Sequence, residues 1–134
     1  MDCVFCKIIA GEIPSAKVYE DDKFLAFLDI APVNLGHTLI IPKAHHETLL
    51  DLPADDACQL LGLVQKIAPA VLSATGAKGF NLMLNNGQVS GQVVGHVHFH
   101  IVPRSEDDGL KLWPGHPYAE GQIQELADKI KMNS

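Results

Sequence analysis

Basic residues are scarce in this chain: 10 Lys and Arg stand against 16 Asp and Glu in 134 residues, a net charge of −6. Binding to a nucleic-acid backbone draws its affinity from clustered lysine and arginine, so the deficit argues against a polynucleotide partner. A small anion held by local dipoles remains open. Long apolar runs are also missing. Stretches such as Thr38-Leu39-Ile40-Ile41-Pro42 fall far short of the ~20 residues that cross a bilayer, and no membrane partner is expected. Cysteine is sparse and odd in number, so Cys3, Cys6 and Cys58 cannot all pair within one chain. With no basic leader ahead of a long apolar stretch, this predicts a reducing, cytoplasmic setting. Repeats, low-complexity tracts and linkers are absent too, which suits one domain over residues 1–134.

What is present is a 47% hydrophobic composition punctuated by turn residues. A short helix is expected over residues 4–10, ended by Gly11, and strands over 17–20 and 24–29 around the turn Asp21-Asp22. Asn34-Leu35-Gly36 is a further turn, followed by a strand over 37–41 that ends at Pro42 and a short helix over 45–51. From Ala54 the apolar residues Ala57, Leu60, Leu61, Val64, Ile67, Ala68, Val71 and Leu72 recur at helical spacing, with Pro69 inside the helix and Gly76 at its end. Strands are expected over 80–85 and 96–102, the second closed by Pro103, and a last amphipathic helix over 120–131 has Ile123, Leu126, Ala127 and Ile130 on its inner face. Five strands joined by turns with one long helix inserted indicate an antiparallel α+β fold, because parallel strands need more helical crossovers than this chain supplies.

The segment His96-Val97-His98-Phe99-His100 carries the chemistry. Alternate residues of a strand face opposite ways, so three imidazoles spaced ~6.6–7 Å apart project from one side while Val97, Phe99 and Ile101 pack on the core. Such a row can be an exposed polar face or a three-histidine metal site. Imidazole titrates near pH 6.5, so a substantial fraction of such rings is neutral at pH 7. Beside it runs the Gly-rich loop Gln88-Val89-Ser90-Gly91-Gln92-Val93-Val94-Gly95, whose backbone suits contact with a ligand.

His96-Val97-His98-Phe99-His100-Ile101-Val102 resembles the signature of the histidine-triad family. Cys3-Val4-Phe5-Cys6-Lys7-Ile8-Ile9, Phe27-Leu28-Asp29-Ile30, Gly36-His37-Thr38-Leu39-Ile40-Ile41-Pro42-Lys43 and Asn85 are similar to its other segments in the same order. The resemblance implies a homodimer that joins two five-stranded sheets into one of ten strands. It also implies a purine nucleotide or nucleotidyl conjugate as substrate, cleaved through a covalent nucleotidyl-histidine on His98. By the same resemblance a backbone carbonyl takes the proton on the far nitrogen of His98, and His100 and His37 bond phosphate oxygens. Asp29 accepts the ribose hydroxyls, Phe5, Phe24 and Ile30 line the base pocket, and Asn85, Gly91, Gln92 and Val93 surround the phosphate and leaving group. Trp113-Pro114-Gly115 looks like the Hint branch, but Val93 stands where that branch has a hydroxyl, which weakens leaving-group assistance. A nucleotide sensor with little turnover is the alternative reading.

Cys3-x-x-Cys6 alone is a weak motif. Some members of the family bind zinc through such a pair, the histidine of an Ile-Pro-Lys-x-His segment and the first histidine of the triad. Carried over, the ligands are Cys3, Cys6, His45 and His96, a closed tetrahedral set that implies structural zinc. Cys58 is expected as a packed thiol, and His46 and His116 as solvent-facing.

Overall fold

The computed structural model describes residues 2–134. Strands β1 (Lys17–Glu20) and β2 (Phe24–Leu28) form the expected hairpin, its turn held by Asp21 Oδ1, which accepts from the amides of Lys23 and Phe24 at 2.8 Å each. β3 (Thr38–Pro42), β4 (Gly79–Leu84) and β5 (Phe99–Arg104) complete one antiparallel sheet in the order β1-β2-β3-β5-β4. The fold is the antiparallel α+β arrangement expected from the sequence.

Two cores follow from the strand alternation. On one face the helix α2 (Ala54–Thr75) lays Leu60, Leu63, Val64, Ile67, Ala68 and Val71 against Phe24, Ala26, Ile40, Val97, Phe99 and Ile101. Each such side chain, once fully buried, contributes roughly 1.5–3 kcal/mol of transfer free energy. On the other face the short helix α1 (Val4–Ile9) sets Cys3, Phe5 and Ile8 over Leu25, Phe27, Leu39 and Ile41. Although α2 has the length and apolar content of a membrane span, its apolar stripe is spent on the sheet. The stripe differs from the expected one in that Leu63 is buried while Leu61 is 48% exposed. Pro69 is accommodated on the exposed side without ending the helix.

Several expectations are not met. Residues 45–51 form turns instead of a helix: Asp51 Oδ2 accepts from the Thr48 amide at 3.1 Å, and the His46 carbonyl is taken by the Val97 amide at 2.7 Å. Side-chain bonds of that kind compete with helical ones. His96 and His98 precede the strand, because β3 offers β5 its last pair at Ile40 and Phe99. The alternation of faces nevertheless continues back through Val97, which packs with Phe99 under α2. Pro103 lies within β5 and does not close it; its carbonyl points away from β4 toward Asn34, past the end of β3, where no amide is needed. Cys58 is exposed, not packed. His46 is half-buried and His116 exposed. Helix α3 (Gln122–Asn133) forms, but none of its residues is fully buried, and of its expected inner face only Ala127 is half-covered by the described residues.

Candidate active site and metal cluster

Hydrogen bonds fix a definite tautomer at His37, His96, His98 and His100. His98 is buried on the α1 face, with Phe5 set edge-on at 5.0 Å between ring centroids. Its Nδ1 donates to the His96 carbonyl at 2.7 Å, so the free lone pair sits on Nε2. A second relay runs beside it. The Val33 amide donates to His37 Nδ1 at 3.1 Å, which leaves the proton on Nε2; that nitrogen donates to His100 Nδ1 at 2.9 Å. His100 therefore carries its proton on Nε2, a buried atom with no partner among the described residues. An acceptor nitrogen on His98 and a donor nitrogen on His100 stand side by side, ring centroids 4.8 Å apart.

Burial holds these rings neutral. It pushes His98 below the usual imidazole range against the opposing pull of the His96 carbonyl and Asp29. His37 is lowered by burial, and His100 is pushed down to about 4 by burial and by the neighbouring rings of His98 and His37. Asp29 lies 3.8 Å from His37 Nδ1 and accepts from the Ala31 amide at 2.9 Å, with its side chain 23% exposed.

His96 turns to other work. Its Nε2 donates to the Pro42 carbonyl at 2.8 Å, which leaves Nδ1 as a lone pair facing Cys3 Sγ at 3.5 Å and Cys6 Sγ at 3.7 Å. His45 Nδ1 meets Cys6 Sγ at 3.3 Å. The four ligand atoms lie within 4.8 Å of one another, so the residues brought together across 93 positions of sequence can hold a metal ion. The donor set fits: a ring whose second nitrogen is tied to a carbonyl is oriented for ligation. The Cys6 thiol is pushed up by burial and by its bond with Cys3, so ligation must displace its proton.

The other candidate residues divide. Phe5 faces His98, Ile30 is 97% exposed near Asp29, and Val93 is 92% exposed at the loop crest. Phe24 is displaced from the expected base pocket: strand alternation puts it on the opposite face, in the core under α2. Gly91, at φ +103, sits where a Cβ would lie 3.5 Å from Asn85 Nδ2, which brings Asn85 against the loop. Gln92 holds the loop itself: its Oε1 accepts from the Gly87 amide at 2.8 Å and its Nε2 donates to the carbonyls of Glu47 at 2.6 Å and Val94 at 3.1 Å. Its amide has no proton left for a leaving group.

The HIT domain family matches over residues 10–107. The chain belongs to the HIT family. It is 42% identical over 132 residues to an adenosine 5′-monophosphoramidase of Schizosaccharomyces pombe, covering 97% of this chain and 96% of that one. It is 50% identical over 109 residues to an adenylylsulfatase of Arabidopsis thaliana, covering 81% of this chain and 55% of the relative. Among solved structures, a HIT family member from Bacillus subtilis superposes with a TM-score of 0.91 at 44% identity, over 100% of this chain and 98% of that one. A zinc-bound histidine-triad protein from Mycobacterium smegmatis does so at 0.79 and 36%, over 100% and 99%. Names in the Hint branch among its relatives agree with the resemblance of its motifs.

This HIT domain also uses residues that sequence reasoning passed over. The Val33 amide sets the His37 tautomer, and the Pro42 carbonyl orients His96. Backbone groups carry no sequence signal of their own. Asn34, Arg104 and Asp108 form a polar network at the foot of the same turn, and of these only Asn34 carries a sequence signal, as a turn residue.

Proposed function

We propose that this protein is a nucleotide hydrolase that cleaves nucleoside phosphoramidates or related nucleotidyl conjugates through a covalent nucleotidyl-histidine on His98. The observation that carries this reading is the bond from His98 Nδ1 to the His96 carbonyl, which puts the reactive lone pair on Nε2. The names of the two relatives, a monophosphoramidase and an adenylylsulfatase, share an adenylyl group and support a purine nucleotide as the common part of the substrate.

In the first step Nε2 of His98 bonds to the α-phosphorus as the bond to the leaving amine breaks; the amine departs with the electron pair and takes a proton from water. Water then adds at phosphorus, the Nε2–P bond breaks, and nucleoside monophosphate leaves with His98 again neutral. The Nε2–H of His100 donates to a non-bridging phosphate oxygen, with His37 holding that ring in its tautomer, and backbone amides of the loop at Gly91 and Val93 add donors as charge develops. Asp29 accepts the ribose hydroxyls, Phe5 and Ile30 border the base, and Asn85 bonds the phosphate. Zinc is the metal proposed for Cys3, Cys6, His45 and His96. Two thiolates and two imidazoles would make a closed set, so a bound ion would tie the N-terminus to the histidine segment and would have a structural role.

The protein acts as one domain, in the cytoplasm, without nucleic-acid polymer or membrane partners. It acts as a homodimer: β4 is an edge strand with Phe80, Leu82 and Met83 exposed at 38%, 41% and 36%, a surface that a second copy covers by extending the sheet to ten strands. Hydrolysis of an adenosine phosphoramidate by His98→Ala, checked for native circular dichroism, tests the reading. Loss of turnover supports it, and wild-type rates in the variant would overturn it. A second reading, a nucleotide sensor with little turnover, is favoured by the loop, where Val93 has no hydroxyl and the Gln92 amide is fully engaged. Tight AMP binding without turnover in the wild type decides for it.

A further inference from the structure

The C-terminal end of β5 carries a partly exposed ionic clasp that touches none of the proposed reacting groups. Asp108, its side chain 10% exposed, takes two bonds from Arg104, at 2.7 Å from Nε and 3.1 Å from the terminal nitrogen. It also accepts from Asn34 Nδ2 at 3.0 Å and from the amides of Ser105 and Leu110 at 3.3 and 3.1 Å. Asn34 Nδ2 gives its second proton to the Pro103 carbonyl at 2.8 Å, so both protons of that amide are committed. Five donors on one carboxylate, two of them in a planar fork, make a rigid joint.

The joint grips the turn that sets the histidine relay. Asn34 follows Val33, whose amide donates to His37 Nδ1, and the Asn34 carbonyl accepts from the His37 amide at 3.0 Å. The same carboxylate that anchors Asn34 is bonded to Arg104, which lies on the strand that carries His100. Both ends of the relay are thus referenced to one point.

We infer that Asn34, Asp108 and Arg104 are positioning residues for catalysis, which hold the Val33 amide against His37 and so decide that His100 presents a proton, not a lone pair, to the phosphate. Without the clasp the turn moves, His37 Nδ1 loses its donor, and the ring is free to carry its proton on Nδ1 toward Asp29, 3.8 Å away. His37 Nε2 then becomes an acceptor, His100 must donate to it from Nδ1, and His100 Nε2 turns a lone pair toward an anionic oxygen. No proton is gained or lost; only the direction of donation reverses. The catalytic part of this inference rests on the proposed hydrolase reading, while the tautomer part does not.

The test uses the full chain labelled with ¹⁵N-histidine, as Asn34→Ala and as Asp108→Asn, the second keeping the shape of the joint in case the first does not fold. Imidazole ¹⁵N shifts report the tautomers without substrate. The wild type should show His37 and His100 protonated on Nε2 alone, and the variants a mixture, together with a loss in kcat/KM on the order of 10- to 100-fold for the phosphoramidate. A clasp that merely stabilises the fold lowers Tm and leaves the imidazole spectra and kcat/KM as they were, which overturns the inference. Mixed tautomers in the variants of a protein whose wild type has no turnover keep the positioning of the relay and remove the hydrolase reading instead.

Discussion

Acid should weaken this fold through His100 in particular. Its ring is held neutral down to about 4 by burial and by the rings of His98 and His37, whereas in the unfolded chain an imidazole titrates near 6.5. Because the folded value lies below the unfolded one, the unfolded chain takes up a proton that the native state refuses. The stabilisation is whole above pH 6.5, falls as pH drops toward 4, and levels off below. At ~1.4 kcal/mol for each pH unit the ceiling over that window is roughly 3 kcal/mol; since the ring is only half-buried, solvent screening brings the expected loss to about 1–2 kcal/mol. The perturbation is His100→Phe, which keeps an aromatic ring and cannot titrate. Urea unfolding of chelator-treated wild type and variant at pH 7.5, 6, 5 and 4 isolates the share of His100, since the other rings are common to both. The variant should lose less stability than the wild type by that amount on going from pH 7.5 to 4. A difference between the two proteins that does not change with pH would refute the account of His100 as a half-buried ring held neutral.

Other outcomes follow from named contacts. Zinc at ~100 times its dissociation constant should stabilise the wild type by about 2.7 kcal/mol, and the gain should vanish in Cys3→Ser and shrink at lower pH as the thiols hold their protons; thermal melts with zinc and with chelator measure this. Phe24→Ala should cost about 3–5 kcal/mol of stability yet leave AMP affinity of the folded protein unchanged, while Phe5→Ala should cost both; urea titration and calorimetry separate the two. Gly36→Ala should destabilise by roughly 1–3 kcal/mol, because φ is +89 there and an added Cβ would meet Thr75 Cγ2 at 2.5 Å; an unchanged urea midpoint would contradict the close approach.

Periodicity carried much of this structure. The stripe of α2, apart from the exchange of Leu61 for Leu63, the hairpin at Asp21 and the alternation through Val97, Phe99 and Ile101 are local patterns, and each appears as the sequence implied. Three of the failures share one physical cause: the deciding partner is remote. Residues 45–51 lose their helix to bonds from Val97 and Gln92, about 50 and 45 positions away. The extent of β5 is set by where β3 stops, and the face taken by Phe24 by the register of β2. The site followed the same division. The histidine motif and the Cys-His set were legible as residue types, but which nitrogen carries a proton depends on the amide of Val33 and the carbonyls of Pro42 and His96, backbone groups that are the same whatever the side chain, proline lacking only the amide proton.

The central claim is a covalent bond between Nε2 of His98 and phosphorus, and trapping that bond tests it most directly. Wild-type protein mixed with a slowly turned-over adenosine phosphoramidate, quenched in base within the first turnover and weighed intact, should gain the mass of one adenylyl group, with the modified peptide containing His98 and no gain in His98→Ala. Rapid single-turnover hydrolysis with no adduct at any quench time, or an adduct that persists in His98→Ala, would contradict the account.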